Sequence, residues 1–205
     1  TMRDRRNFVQ CVQYLSSEVK VGGRGTVISF RYEGHEGRIG AFPISIDVNS
    51  LMKEASSKEI ADESWYLHEQ LPDRQIILGI DRLDYTKGIP ERLEAFRNAL
   101  ERFPGLHRKV TLMQVVVPSR EEVPEYQALR AHIERLVGEI NGRFTRRGWI
   151  PIHYMYRSLS RRELLGAYRA SEIGLITPLK DGMNLVAKEY CACSVEENSI
   201  LIPVS

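Results

Sequence analysis

From residue 74 onward, short apolar runs alternate with amphipathic stretches, and this rhythm restricts the fold more than any other feature. Runs at 75–80, 110–117 (VTLMQVVV), 151–156, 172–177 (EIGLIT) and 199–204 have the length of strands. Between them, 90–103 places Leu93, Phe96, Leu100 and Phe103 on one helical face. The stretch 124–141 does the same with Leu129, Ile133, Leu136, Val137 and Ile140, and 160–170 with Leu164, Leu165 and Tyr168. A further helix is expected over 183–193. Strands this continuously apolar need cover on both faces, and intervening helices supply it in βαβ units. The fold class expected is therefore α/β, a Rossmann-like parallel sheet with helices on both faces.

The first 73 residues read differently. Residues 4–17 carry a helical stripe of Phe8, Val9, Val12 and Leu15. Residues 19–47, with TVISFRYEGHEGRIGAFPISID, suggest a hairpin and a further strand. Residues 49–73 are polar and helical, anchored by Trp65, Leu67 and Leu71, and LPDR interrupts the chain before the next strand. The chain opens on Thr1 and stops in a strand pattern, so we expect a fragment of a longer protein.

Composition excludes several classes. Charged residues make up 27% of the 205 and hydrophobic ones 42%, so a packed core is expected rather than disorder. A net charge of +2 is too balanced to point to a nucleic-acid partner, whose binding needs a clustered basic face, so none is expected. No apolar run approaches the roughly 18 residues of a membrane span, and the polar start TMRDRRNFVQ is not a signal peptide. Cys11, Cys191 and Cys193 are too few for a disulfide framework, which fits a cytoplasmic protein. The sequence is compatible with a homo-oligomer.

Ligands of such a sheet bind outside the carboxyl ends of its strands, and the loops there are rich in functional groups. Arg82, Asp84 and Lys87 follow the first strand, Ser119 and Arg120 the second, and Arg157, Ser158 and Leu159 the third. TPLKDGMNLVAKE follows the fourth, with Lys180, Asp181, Gly182, Asn184, Lys188 and Glu189. Arg82, Lys87 and Arg120, together with helix N-termini, suit an anion such as a diphosphate. The alternative is a surface ion network in which Arg82 pairs with Asp81 or Asp84. Gly182 would let the backbone turn closely. Asp181 either caps the next helix or meets a ligand. Glu189, inside a packed helix, needs partners such as ribose hydroxyls or a protein cation. No Walker loop, zinc spacing or G-x-S-x-G elbow occurs, and VGGRGT at 21–26 has no helix after it, so it is not a dinucleotide fingerprint.

DRLDYTKGIPERL, VPSREEVPEY, INGRF, W-x-P-x-H-Y and TPLKDGMNLVAKEY, in this order and spacing, resemble the trehalose-6-phosphate synthase family. The match runs from GAFPISID at 40–47 to the end of the chain. These are retaining glycosyltransferases of the two-Rossmann-domain, or GT-B, type. The resemblance implies transfer of glucose from UDP-glucose to glucose 6-phosphate, giving trehalose 6-phosphate, with no metal or organic cofactor. It implies that Arg82 and Lys87 hold the donor diphosphate, with Asp181 at the glucose hydroxyls. Gly182, Met183 and Asn184 would meet sugar or phosphate through their backbone, with Leu185 and Val186 alongside. Glu189 would bind the ribose, Leu159 the uracil through its backbone, and Arg120 the acceptor phosphate. The mechanism implied is front-face attack through an ion pair, the leaving phosphate taking the acceptor proton, without the carboxylate nucleophile of a glycosidase.

By the same resemblance, residues 1–38 are the tail of an amino-terminal acceptor domain and 39–73 an inter-domain connection. Residues 74–205 are then an incomplete carboxyl-terminal nucleotide-sugar domain, with the donor site and little or no turnover alone. Glucosylglycerol-phosphate synthases, cyclitol-joining relatives, GDP-glucose as donor and a non-catalytic regulatory subunit stay open. Asp81 and Asp84 are expected to orient Arg82 and Lys87.

Overall fold

The computed structural model describes residues 2–23 and 25–203. Arg24, within VGGRGT, and Val204, where the last strand was expected to end, lie outside the described residues. The chain divides into two compact units, one ending at Ser45 and the other beginning at Ile46.

In the first unit, helix α1 spans Met2–Leu15. Val9 and Val12 of its apolar stripe are half-buried, while Phe8 and Leu15 are exposed. Strands β1 (Lys20–Gly22), β2 (Val27–Tyr32) and β3 (His35–Gly40) form an antiparallel meander, the hairpin and extra strand expected.

The second unit is built on five parallel strands: β4 (Gln75–Arg82), β5 (Val110–Val117), β6 (Ile152–Tyr156), β7 (Ile173–Ile176) and β8 (Ile200–Pro203). Their order across the sheet is β6-β5-β4-β7-β8. The chain thus winds outward from β4 on one side, then crosses to β7 and winds outward on the other. β4 and β7 pair only through Ile77↔Ile173 and Leu78↔Gly174, so their carboxyl ends are free to diverge. Such a reversal opens the crevice in which α/β sheets bind ligands.

Helices α4 (Ile89–Arg102) and α5 (Pro124–Phe144) cover one face. They bury Leu93, Phe96, Leu100, Ile133, Leu136 and Ile140 against Val110, Leu112 and Val116. The other face is covered by α2 (Val48–Ala55), α3 (Lys58–Gln70), α6 (Arg161–Ala170) and α7 (Leu185–Cys193). There Leu51, Ile60, Leu165 and Tyr190 meet Ile76, Leu78, Ile80, Met113 and Val115. Alternate residues of β4 and β5 therefore go to opposite layers, as the period of a strand requires.

The polar helical stretch at 49–73 is two helices, because Ser57 caps α3 by accepting from the Ile60 N–H. Leu71 is buried and Leu67 packs against the core as expected, but Trp65 is no anchor: it is 62% exposed, and Ile60 is buried in its place. Phe103 likewise ends α4 in solvent, at 58% exposure. Two of the five motifs serve the scaffold. Asn141 of INGRF accepts from the Ile152 N–H at 3.0 Å and donates to its carbonyl at 2.9 Å, holding edge strand β6. Trp149 is buried and donates to the Val110 carbonyl at 2.9 Å.

A polar network lies deep in this core. Arg92, on the apolar face of α4 and 2% exposed, donates to the Asp81 carboxylate at 2.6 Å. It also reaches Gln114 Oε1 at 3.2 Å and Thr177 Oγ1 at 2.9 Å. Gln114 donates in turn to the Gly79 carbonyl at 3.2 Å. A Cβ on Gly79 would stand 2.5 Å from Gln114 Oε1 and 2.9 Å from Arg92 Nη1, so glycine is needed to admit the network. Asp81 is thus not the partner expected for Arg82 or Lys87. Its side chain faces α4, as Gly79 does, and the alternate residue Ile80 faces the other layer. Burial pushes the Asp81 carboxyl up, and the guanidinium pulls against it.

Removing one partner of such a pair leaves a buried charge uncompensated. Arg92→Leu is expected to lower the unfolding free energy by about 3–5 kcal/mol in urea titrations; a loss below about 1 kcal/mol would show that the pair does not brace the domain.

Candidate nucleotide-binding crevice

The crevice at the β4/β7 reversal is formed by two loops. The first follows β4: Asp84 accepts from the Thr86 N–H at 2.8 Å and starts a short 3₁₀ turn at Tyr85–Lys87. Gly88 then takes φ 64° and leads into α4, with Pro90 in its first turn. A side chain at Gly88 would approach the Thr177 carbonyl oxygen to 2.8 Å, so glycine allows both the left-handed turn and the close packing of the loops. The second loop follows β7. Its Lys180 N–H donates to the Thr86 carbonyl at 3.1 Å, joining the loops backbone to backbone.

Side chains complete the join. Lys87 Nζ is 2.7 Å from Asp181 Oδ2, with both side chains about four-fifths buried at 19% and 20% exposure. Asp181 Oδ1 accepts from the Met183 N–H at 3.2 Å, and Oδ2 also accepts from Asn184 Nδ2 at 3.2 Å. Burial favours the neutral form of Asp181, but the Lys87 ammonium and the loop N–H groups outweigh it and hold the carboxyl below its ordinary range. Asp181 does not cap α7. Asn184 does, accepting from the Ala187 N–H at 3.0 Å, so the helix begins at Leu185 rather than 183. Gly182 has no left-handed φ, and a Cβ there would meet nothing within 4 Å. The turn itself therefore does not require glycine, contrary to expectation.

Between the loops lies an open cavity of about 290 Å³. Asp81, Arg82 and Lys87 line one side, with Asp181 and Met183–Val186 on the other. Arg82 is 59% exposed and only loosely held, its Nη2 3.4 Å from Asp84 Oδ2. The expected Arg82–Asp84 contact is present, and Lys87 pairs with Asp181 instead of an aspartate of its own loop.

The remaining candidates do not line this cavity. Glu189, one helical turn beyond Leu185 on α7, accepts from the Tyr168 hydroxyl at 3.0 Å. Leu159, half-buried on the β6–α6 loop, packs against the same core layer as Val186 and lines a second cavity of about 300 Å³ with Arg157. Arg157 itself is held by Glu163 at 2.7 Å. Arg120, on the β5–α5 loop, does not line the crevice cavity; its guanidinium donates to the Tyr126 hydroxyl at 2.8 Å. Among the described residues, no group of three His, Cys, Asp or Glu could hold a metal ion, and no helix is long and apolar enough to cross a membrane.

The family model of glycosyltransferase family 20 matches residues 1–204. The UDP-forming alpha,alpha-trehalose-phosphate synthase of Candida albicans is 39% identical over 197 residues, 96% of this chain and 40% of that protein. The chain therefore spans well under half of that relative. A solved trehalose-6-phosphate synthase structure from E. coli, bound with UDP-2-fluoro glucose, superposes with a TM-score of 0.89 at 35% identity. The superposition covers 99% of this chain and 44% of the other. The Burkholderia xenovorans UDP-forming synthase in complex with glucose-6-phosphate gives a TM-score of 0.85 at 33% identity, covering 90% and 41%. These are GT-B glycosyltransferases, and the parallel sheet described here has their fold. The chain belongs to glycosyltransferase family 20.

Proposed function

We propose that this chain supplies the donor-binding side of a retaining transferase that moves glucose from UDP-glucose to glucose 6-phosphate. One observation carries the reading: Arg82, Lys87 and Asp181 meet across the β4/β7 reversal, at the ligand edge of the sheet. The E. coli structure with a fluorinated UDP-glucose and the Burkholderia structure with glucose-6-phosphate support the two substrates. In this reading, residues 1–38 are the tail of the acceptor-side domain and 39–73 the connection. A cytoplasmic setting goes with it, in keeping with three free thiols.

The chemistry follows from charge. Transfer breaks the bond between the glucose C1 and the β-phosphate oxygen, leaving a UDP that carries more negative charge. Arg82 and Lys87 favour that charge more than they favour the intact donor, which lowers the barrier. Lys87 is engaged by Asp181. When a diphosphate takes the ammonium, the carboxylate is freed to accept hydrogen bonds from the glucose hydroxyls. Gly182, Met183 and Asn184 present backbone to sugar or phosphate, and the absence of a Cβ at Gly182 keeps that approach open. Leu185 and Val186 form the apolar floor. Glu189, with one oxygen held by Tyr168, takes the ribose hydroxyls, and Leu159 the uracil. The acceptor hydroxyl attacks C1 from the side the phosphate leaves, and its proton passes to the departing phosphate oxygen. Arg120 holds the acceptor phosphate. No residue of this chain need act as base or nucleophile.

Calorimetry with this chain should show UDP binding more tightly than GDP. Arg82→Ala should weaken UDP at least tenfold, the loss of a charge-assisted bond. Absence of UDP binding, or an unaltered affinity in the variant, would remove the donor site from this crevice. The Lys87–Asp181 pair also sets a pH dependence. Because the Asp181 carboxyl titrates below its unfolded range, the pair stabilises the fold at neutral pH and fades as pH falls through the depressed value. The melting temperature should therefore drop in Asp181→Asn at pH 7, and the gap to the parent protein should narrow as the pH is lowered below the ordinary carboxylate range; a gap that does not narrow on acidification would contradict the assignment.

A further inference from the structure

Arg120 occupies an uncommon position. Its φ is 49°, in the left-handed region that side chains other than glycine adopt at a cost. Its carbonyl accepts from the Val123 N–H at 3.0 Å, closing a tight turn before α5. Among the described residues its side-chain hydrogen bond goes to a neutral hydroxyl, that of Tyr126, and no carboxylate forms an ion pair with it. The guanidinium carbon also sits 5.4 Å from the centre of the Tyr126 ring.

Tyr126 is fixed on its own account. It lies in the first turn of α5, is 5% exposed, and belongs to the core layer that includes Leu83 and Ile89. The ring meets that of Tyr85 edge-on, at 6.2 Å and 71°. Tyr85 is part of the 3₁₀ turn between Asp84, the partner of Arg82, and Lys87. One buried tyrosine therefore touches the loop that carries Arg120 and the loop that carries the two donor-side cations.

We propose that Tyr126 is a positioning residue for the transfer reaction: its hydroxyl fixes the direction of the Arg120 guanidinium, and its ring sets the Arg120 loop against the Tyr85 turn. This rests on the reading of Arg120 as the acceptor-phosphate ligand. The hydroxyl accepts one N–H of the guanidinium and takes no negative charge, so the cation keeps its charge for a phosphate. A carboxylate in the same place would neutralise it. The ring contact makes the separation between acceptor phosphate and donor diphosphate a property of the packed core rather than of two independent surface loops.

The test is kinetic, in the full-length protein. Tyr126→Phe keeps the ring and removes the hydroxyl. It should raise KM for glucose 6-phosphate about tenfold, the size of one hydrogen bond to a charged group. KM for UDP-glucose should stay within about twofold and the melting temperature within about 2 °C, consistent with a change confined to one bond. Arg120→Ala should raise the acceptor KM further, and adding Tyr126→Phe to it should have no additional effect, since the two act through one interaction. A Tyr126→Phe enzyme with unaltered acceptor KM, or with both KM values and the melting temperature shifted together, overturns the positioning role while leaving Arg120 in place. An Arg120→Ala enzyme with unaltered acceptor KM overturns the acceptor-site reading itself, and the role of Tyr126 with it.

Discussion

The buried ion pair between Asp81 and Arg92 governs how the ligand edge of this domain is built. A charged pair inside a core is costly to desolvate and contributes little net stability against an apolar alternative. Its use here is geometric. Through Arg92, one side chain of α4 is bonded to the end of β4 at Asp81, to β5 at Gln114 and to the end of β7 at Thr177. These are the central strand and its two neighbours, of which β7 begins the return half of the sheet. Gln114, bonded on to the Gly79 carbonyl, leaves little freedom in the relative level of the strand ends.

The crevice inherits that order. Arg82 and Lys87 follow directly from Asp81, and the loop bearing Asp181 follows directly from Thr177. Gly88 lets the first loop lie against the second, and the Lys180–Thr86 backbone bond fixes their spacing. A functional loop usually gains its precision from a rigid scaffold beneath it. Here the scaffold is a polar network one residue below the site, so the placement of the crevice cations is set in the core.

The strands, helices and ligand edge were legible because they depend on local periodicity. Apolar runs of strand length separated by amphipathic helices admit few architectures. Arg82, Lys87 and Asp181 were legible as candidates, since charge after a buried strand stands out, but their meeting was not: 94 positions separate Lys87 from Asp181. Only the long motifs linked them. Arg92 was overlooked, although a signal existed. It sits on the same face of α4 as Ile89 and Phe96, and an arginine on an apolar stripe demands a buried acceptor. Strand alternation could also have assigned Asp81 to the α4 side, away from Arg82. Trp65 and Phe103 are exposed against expectation because an apolar side chain on a helix is no guarantee of burial. A glycine after a strand suggests a turn requirement, but at Gly182 the backbone takes no left-handed φ and the space above it is open.

A crystal structure of this chain with UDP tests the central claim most directly. The account predicts the diphosphate in the β4/β7 crevice, bridging Arg82 and Lys87, with Lys87 drawn from Asp181 and the ribose hydroxyls on Glu189. A nucleotide seated instead in the cavity of about 310 Å³ beneath α5, among Arg130, Glu134 and Tyr156, would contradict it.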